Sequence, residues 1–336
     1  MKCAILYKSG DLRIEERPIP QPNDREILIQ VDACGICGTD LLIYDRKFPV
    51  DFPYSPGHEY VGRIVRLGKF VKHFSKGDRV VVNPNYSCGL CYYCKRGKVH
   101  LCENQKKKVK SNGGFAEYVV VPEKLVYKIP KSLTNKNAIL VEPLSCCVHC
   151  INEIDINSTD TIAILGGGTI GLLMLQLVRK LSTNKIFLTE PNANKRRIAK
   201  EFGADIVINP LNTDTGKIIN NNTNGYGVDV AIECTGKKEV IEESLRLINR
   251  SGIVVLTGLS GKNEMINISP LRIVKDELTI KGAFLNPFTY EKAIDLLAKK
   301  KIITKSLISD EFLLKDLNRA IELCKKGYTI KTIINC

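Results

Sequence analysis

Apolar residues recur in short runs along the first 130 positions: CAILY near the start, then EILIQVDA, YVGRIVRLG, DRVVVN and EYVVVP, with turn signals between them. Runs of this length and punctuation predict antiparallel β structure rather than helices. Between about 160 and 282 the rhythm changes. TIAIL, KIFLTE, ADIVI, VDVAIE, GIVVLTG and LTIKGAF are separated mostly by helix-length segments such as TIGLLMLQLV at 169 to 178, the alternation that a parallel, doubly wound sheet requires. From Tyr290 the pattern offers a helix through TYEKAIDLLAKKK, a short strand in KSLISDEF, a second helix through LNRAIELCKKG and a closing strand in TIKTIIN, expected to fold back onto the first domain. No internal repeat is visible, and the Asn-rich stretch 220–224 is expected to form a loop.

The length of 336 residues exceeds what one hydrophobic core normally serves, so two domains are expected. Hydrophobic residues at 44% and charged residues at 26% are ordinary globular values and exclude collagen-like, coiled-coil and disordered classes. No stretch of eighteen uncharged apolar residues occurs, and the N-terminus reaches charge after a short apolar run; both point to a cytoplasmic protein without a membrane partner. Fifty Lys and Arg against 36 Asp and Glu give a net charge of +14, which raises nucleic acid or membrane phosphates as partners. The basic residues are dispersed, however. They form only short runs, Lys106 to Lys108 with Lys110, Lys299 to Lys301, and Lys325 with Lys326, with no interleaved aromatics and no basic amphipathic helix. A solvated surface accounts for them, and no nucleic-acid partner is expected.

Thirteen cysteines and four histidines, without an export signal, point to metal or redox chemistry more than to a disulfide framework. Cys88, Cys91, Cys94 and Cys102 have C-x2-C-x2-C-x7-C spacing. Four thiolates so spaced can surround one zinc tetrahedrally, leaving no open coordination position, so the role inferred is structural. Spacing alone also admits an iron–sulfur cluster or two disulfides. Cys37 in CGICGTD, with the adjacent His58 and Glu59 in PGHEYVG, makes a sulfur, nitrogen and oxygen set compatible with a catalytic zinc that keeps one position open. Cys34 and Cys37 also form a CxxC, but outside the βαβ context of a redox motif.

Gly166, Gly168 and Gly171 form G-x-G-x-x-G after the apolar strand TIAIL and at the mouth of an apolar helix, with Thr169 and Ile170 inside the motif. Backbone amides there can meet a pyrophosphate. Twenty-four residues after Gly166 the next strand ends in Glu190, where a carboxylate can hydrogen-bond the adenosine ribose hydroxyls and repel a 2′-phosphate. NAD is therefore expected over NADP, although Lys195, Arg196 and Arg197 follow closely and could soften the preference.

GHEYVG, the four-cysteine lobe, VEPL at 141 to 144 and GGGTIG together closely resemble the zinc-dependent medium-chain dehydrogenases, over nearly the whole chain. The resemblance implies an α/β architecture: a GroES-like, mainly antiparallel catalytic domain of residues 1–145 and 285–336, with a structural zinc lobe at about 84–104. A Rossmann domain of residues 146–284 would bind NAD, with the active site in the cleft between the two. It further implies that Cys37, His58 and Glu59 ligate the catalytic zinc, that Glu142 reaches the metal directly or through its water, and that Asp40 orients the ligating His58. Thr39 matches the hydroxyl that takes the substrate proton, Lys195 a residue that touches the adenosine ribose, and Thr235, Gly236 and Gly258 lie near the dinucleotide.

In many relatives a His five positions after the ligating Cys completes the proton relay, but Leu42 stands here, so a water chain or Glu142 is expected to carry the proton instead. A Glu in the VEP motif is similar to the sorbitol and threonine dehydrogenase branches and implies a polyol substrate, and the net charge leaves room for a phosphorylated one. L-threonine and vicinal diols are the alternatives, and a noncatalytic dinucleotide-binding zinc protein is a distant one. Sorbitol dehydrogenases carry an Arg where this chain has Leu285, which leaves the polyol contacts there open. The resemblance alone implies a homodimer or homotetramer through the Rossmann sheet edge.

Overall fold

The computed structural model describes residues 1–105, 113–181 and 183–336; the basic run Lys106 to Lys108 with Lys110 lies outside the described residues. The chain divides into two compact units, one of Met1–Ser145, Leu285–Thr304 and Ile308–Cys336, the other of Cys146–Phe284 and Lys305–Leu307.

The first unit is built on a seven-stranded sheet in the order Ile308–Leu313, Lys331–Asn335, Glu26–Gly35, Glu59–Leu67, Arg79–Val82 and Val126–Lys128, with Tyr118–Pro122 also paired to Glu26–Gly35. Its pairings are antiparallel except for the parallel pair of Ile308–Leu313 with Lys331–Asn335. Apolar residues two apart, Ile27 and Ile29, Val80 and Val82, Val119 and Val121, turn to one side and fill its core with Ile64 and Phe115. Each such buried side chain contributes roughly 1.5–3 kcal/mol relative to exposure.

Register decides what meets what at the end of this sheet. Gly35 lies opposite Ile333 on one neighbouring strand and opposite Glu59 on the other. Immediately after Gly35 the chain leaves the sheet through Cys37 into the helix Gly38–Tyr44.

In the second unit six strands pair in parallel in the order Ile206–Ile208, Lys185–Thr189, Thr161–Leu165, Val228–Glu233, Ile248–Leu256 and Thr279–Gly282. In chain order this is third, second, first, fourth, fifth, sixth, the dinucleotide-binding arrangement in which the order reverses beside the first strand. The strands read as near-continuous apolar runs because helices cover both faces. Those helices include Thr169–Arg179, Ala193–Glu201, Thr215–Asn222 and Lys238–Leu247.

The Asn-rich stretch 220–224 is not wholly a loop: its first three residues complete the helix Thr215–Asn222. Asp214 caps that helix by accepting from Lys217 N, and Ile219 anchors it in the core. A cap and one buried anchor outweigh the weak helix preference of asparagine. No helix among the described residues is long and apolar enough to cross a membrane.

Candidate active site

Cys37 Sγ, a ring nitrogen of His58 and a carboxylate oxygen of Glu59 lie within 4.8 Å of one another. Sheet geometry brings them together. Glu59 opens its strand beside Gly35, and Cys37 follows two residues after that glycine. A Cβ at Gly35 would fall 2.3 Å from Glu59 Oε2 and 2.8 Å from Ile139 Cγ2, so the glycine is what lets the carboxylate cross its strand.

Asp40, in the first turn of the helix Gly38–Tyr44, is buried. Its Oδ2 accepts from Cys37 N at 2.9 Å, and its Oδ1 accepts from Gly57 N at 3.3 Å and lies 3.5 Å from His58 Nδ1. One carboxylate thus fixes both ligand-bearing segments and the ring orientation of His58. Burial would push the Asp40 carboxyl up, but His58 and the two amides hold it below the ordinary range. Burial would likewise lower His58, yet the charges of Asp40 and Cys37 keep it well above the usual histidine value. A field that draws positive charge onto this imidazole is one that a divalent cation would satisfy, and the sulfur, nitrogen and oxygen donor set suits zinc.

Thr39 Oγ1 lies 3.7 Å from Cys37 Sγ, beside the donor set. Glu142, in the first turn of the helix Val141–Asn152, is buried but does not join the three-residue cluster. Its Oε1 accepts from Asn286 Nδ2 at 3.1 Å. Sequence patterning singled out neither Asn286 nor Lys331. Lys331 Nζ donates to Ile36 O at 3.0 Å and to Glu59 Oε1 and Oε2 at 2.7 and 2.5 Å. The one signal for Lys331 was a lysine at a core position in an apolar closing strand, TIKTIIN.

The sulfur atoms of Cys88, Cys91, Cys94 and Cys102 also gather within 4.8 Å. Amides point at them: Leu90 N and Cys91 N donate to Cys88 Sγ at 3.4 and 3.3 Å, and Cys88 N and Asn104 N donate to Cys102 Sγ at 3.3 and 3.4 Å. The Asn104 side chain and these amides bring the Cys88 thiol down to about 6, whereas burial pushes Cys94 up to about 12. Donors aimed at sulfur favour the thiolate that zinc requires. All thirteen cysteines are free thiols, so the two-disulfide reading of this cluster is not realised.

In the second unit the glycine motif links the strand Thr161–Leu165 to the helix Thr169–Arg179, whose first turn holds Thr169 and Ile170 and whose N-cap is Gly168. A Cβ at Gly171 would sit 1.8 Å from Gly166 O, which is why helix and strand can pack so closely. Glu190, just beyond the strand Lys185–Thr189, accepts from Gly167 N and Asn192 N, each at 2.9 Å. Lys195 is buried on the helix Ala193–Glu201. Arg196 donates to Glu190 O and Pro191 O, and Arg197 pairs with Glu201. Thr235 and Gly236 form a turn around Glu233, a fully buried carboxylate unnoticed in the sequence, and Gly258 packs against Gly236 N. Gly166, Glu190, Thr235 and Gly258 all follow the carboxyl ends of parallel strands, where this fold binds dinucleotides.

Comparison with known proteins gives the family. Residues 23–131 match the profile of the alcohol dehydrogenase GroES-like domain, and residues 169–299 that of zinc-binding dehydrogenases. A sorbitol dehydrogenase of Halalkalibacterium halodurans is 32% identical over 98% of this chain and 96% of its own. A D-arabitol-phosphate dehydrogenase of Enterococcus avium is 33% identical over 94% and 91%. Among solved structures, a putative zinc-binding dehydrogenase of Sinorhizobium meliloti bound to NADP superposes with a TM-score of 0.92 at 36% identity, covering 100% of this chain and 99% of that one. The chain belongs to the zinc-dependent medium-chain alcohol and polyol dehydrogenases, and its fold joins a GroES-like unit to a Rossmann unit.

Proposed function

We propose that the protein oxidises a secondary alcohol of a polyol, or of a polyol phosphate, to the ketose with NAD. The convergence of Cys37, His58 and Glu59, with Asp40 behind the histidine, carries this reading. Similarity to dehydrogenases named for sorbitol and D-arabitol phosphate supports the substrate class. In this reading Cys37, His58 and Glu59 hold the catalytic zinc, Cys88, Cys91, Cys94 and Cys102 hold the structural one, and Met1–Ser145 with the C-terminal segments is the catalytic domain. A zinc ion held there would supply a Lewis acid for the alcohol oxygen, and bound NAD would supply the hydride acceptor. Asp40 fixes the His58 ring so that its other nitrogen serves as ligand. Thr39 receives the substrate hydroxyl proton at Oγ1, and Glu142 is the carboxylate that accepts it further on, since Leu42 is apolar.

Glu190 supports NAD over NADP. Arg196 is held at the Glu190 and Pro191 carbonyls and Arg197 at Glu201, so neither is presented as a dedicated phosphate site. The solved neighbour bound to NADP favours the opposite preference, and both cofactors belong in the assay.

A second copy of the chain is proposed across the strand Thr279–Gly282, the edge of the parallel sheet; Leu271 and Val274 of the preceding helix Pro270–Lys275 are 73% and 76% exposed. Two cysteine-bearing clusters read as zinc sites fit a reducing, cytoplasmic location.

Mass spectrometry of the purified protein counts the metal, and reduction of NAD and NADP is then measured on polyols, polyol phosphates, vicinal diols and L-threonine. Two zinc ions per chain with turnover of polyols are expected. One zinc and no turnover after zinc addition would leave a noncatalytic dinucleotide-binding protein, and turnover of L-threonine alone would move the enzyme to that branch.

A further inference from the structure

Asn286 is 1% exposed and sits between two partners of different kinds. Its Oδ1 accepts from Asn85 Nδ2 at 2.9 Å, and its Nδ2 donates to Glu142 Oε1 at 3.1 Å. An amide has one accepting and one donating end, so the donor from Asn85 determines which end faces Glu142. The outer member is itself anchored, because Asn85 N donates to Asn83 Oδ1 at 2.9 Å. Side-chain hydroxyls hold the turn that carries Glu142: Thr289 Oγ1, from the segment of Asn286, donates to Ser145 O at 2.8 Å, and Ser145 Oγ donates to Glu142 O at 2.6 Å. The segment leading into Glu142 lies beside the metal-ligand cluster: the point where a Cβ would stand on Gly35 is 2.3 Å from Glu59 Oε2 and 2.8 Å from Ile139 Cγ2.

We propose that Asn286, oriented by Asn85, is a positioning residue that aims the Glu142 carboxylate at the catalytic metal centre. The inference rests on the reading of Cys37, His58 and Glu59 as metal ligands and of Glu142 as the carboxylate beside them. Its chemistry differs from that at Glu59. A lysine meets the charge of Glu59, whereas the contact from Asn286 to Glu142 is a neutral amide that fixes the carboxylate in direction. Asn286 takes up this task in the segment following the last strand of the parallel sheet, one residue after Leu285.

Asn286→Asp tests it. The substitution keeps the shape but replaces the donor facing Glu142 by an acceptor, turning the contact repulsive. Zinc count and thermal midpoint first establish that the variant is folded and loaded; Asn85→Ala, which removes the outer amide alone, serves if Asn286→Asp does not fold. With cobalt substituted for the catalytic zinc, the visible bands are expected to shift in Asn286→Asp and to be unaffected by the same change in a Glu142→Gln background. With an accepted polyol, kcat is expected to fall about 10- to 100-fold with KM for NAD unchanged, and this loss should also vanish in the Glu142→Gln background. Bands and kcat that do not respond, or that respond equally in both backgrounds, would overturn the proposal. The cobalt spectrum needs no substrate, so a protein that turns over none of the alcohols would refute the proposed activity while this measurement still decides the role of Asn286.

Discussion

Lys331 and Glu59, 272 residues apart in the chain, form an ion pair whose side chains are 3% and 0% exposed, with Nζ 2.7 Å from Oε1. Gly35 makes it possible. The strand holding Gly35 lies between theirs, and the Lys331 Cδ passes 3.2 Å from where a Cβ would stand on that residue. Two charges removed from water are tolerable only together.

Replacing one of them exposes this dependence. Lys331→Met leaves a buried carboxylate uncompensated and is expected to destabilise the metal-free protein by about 3–5 kcal/mol. Zinc bound by Cys37, His58 and Glu59 would supply the missing positive charge. Thermal midpoints measured after chelation and after zinc addition should therefore differ more in the variant than in the wild type. An equal zinc response in both proteins would show that Lys331 does not compensate Glu59.

Asp40→Asn keeps the size of the side chain but removes the charge beside His58 Nδ1. Partners of ligating histidines typically contribute a factor of about 10–100 in metal affinity. Chelator competition should show weakening of that order at one site only, with the four-cysteine site retained. Loss of both metals together would instead indicate general unfolding.

The boundaries of legibility follow physical range. The gathering of Cys88, Cys91, Cys94 and Cys102 and the turn from Gly166 to Gly171 were readable because a few nearby residues form each arrangement locally. Cys37, His58 and Glu59 were readable jointly, since two of them are neighbours and each is flanked by glycine or a turn. Lys331, Asn85 and Asn286 were not. Their importance lies in register and tertiary contact across 144 to 272 residues, and a lone Lys in an apolar strand or an Asn before a Pro has many ordinary explanations. The helical Asn220 to Asn222 failed for a related reason: local propensity yielded to the cap at Asp214 and the anchor at Ile219.

Glu190→Ala tests the cofactor preference. The carboxylate lost there orders the turn through Gly167 N and Asn192 N, and in the proposed reading it would oppose a 2′-phosphate. Hydrogen bonds to charged groups contribute about 1.5–3 kcal/mol, so the ratio of kcat/KM for NAD to that for NADP should fall about 10- to 100-fold. An unchanged ratio would remove Glu190 from ribose recognition.

Glu233 gives a prediction in pH. Burial raises its carboxyl above the ordinary range, against the opposing effect of the Thr235 hydroxyl and amide and the Gly236 amide. The sign follows from proton counting. Below about 4.5 the group is protonated in both folded and unfolded chains and contributes no pH dependence. Between that value and its raised folded pKa, the folded protein binds more protons than the unfolded one, so the contribution of Glu233 to stability decreases as pH rises, and above the folded value the penalty is constant. In Glu233→Gln, which keeps one oxygen acceptor for Thr235 N, this component is absent. The stability difference, wild type minus variant, measured by denaturant unfolding from pH 4 to pH 8, should therefore fall with rising pH and then level off. Taking a difference removes the opposite trends of carboxylates such as Asp78, whose ion pair with Lys128 holds it below the ordinary range. A difference independent of pH would mean that the turn formed by Thr235 and Gly236 fully compensates the buried charge.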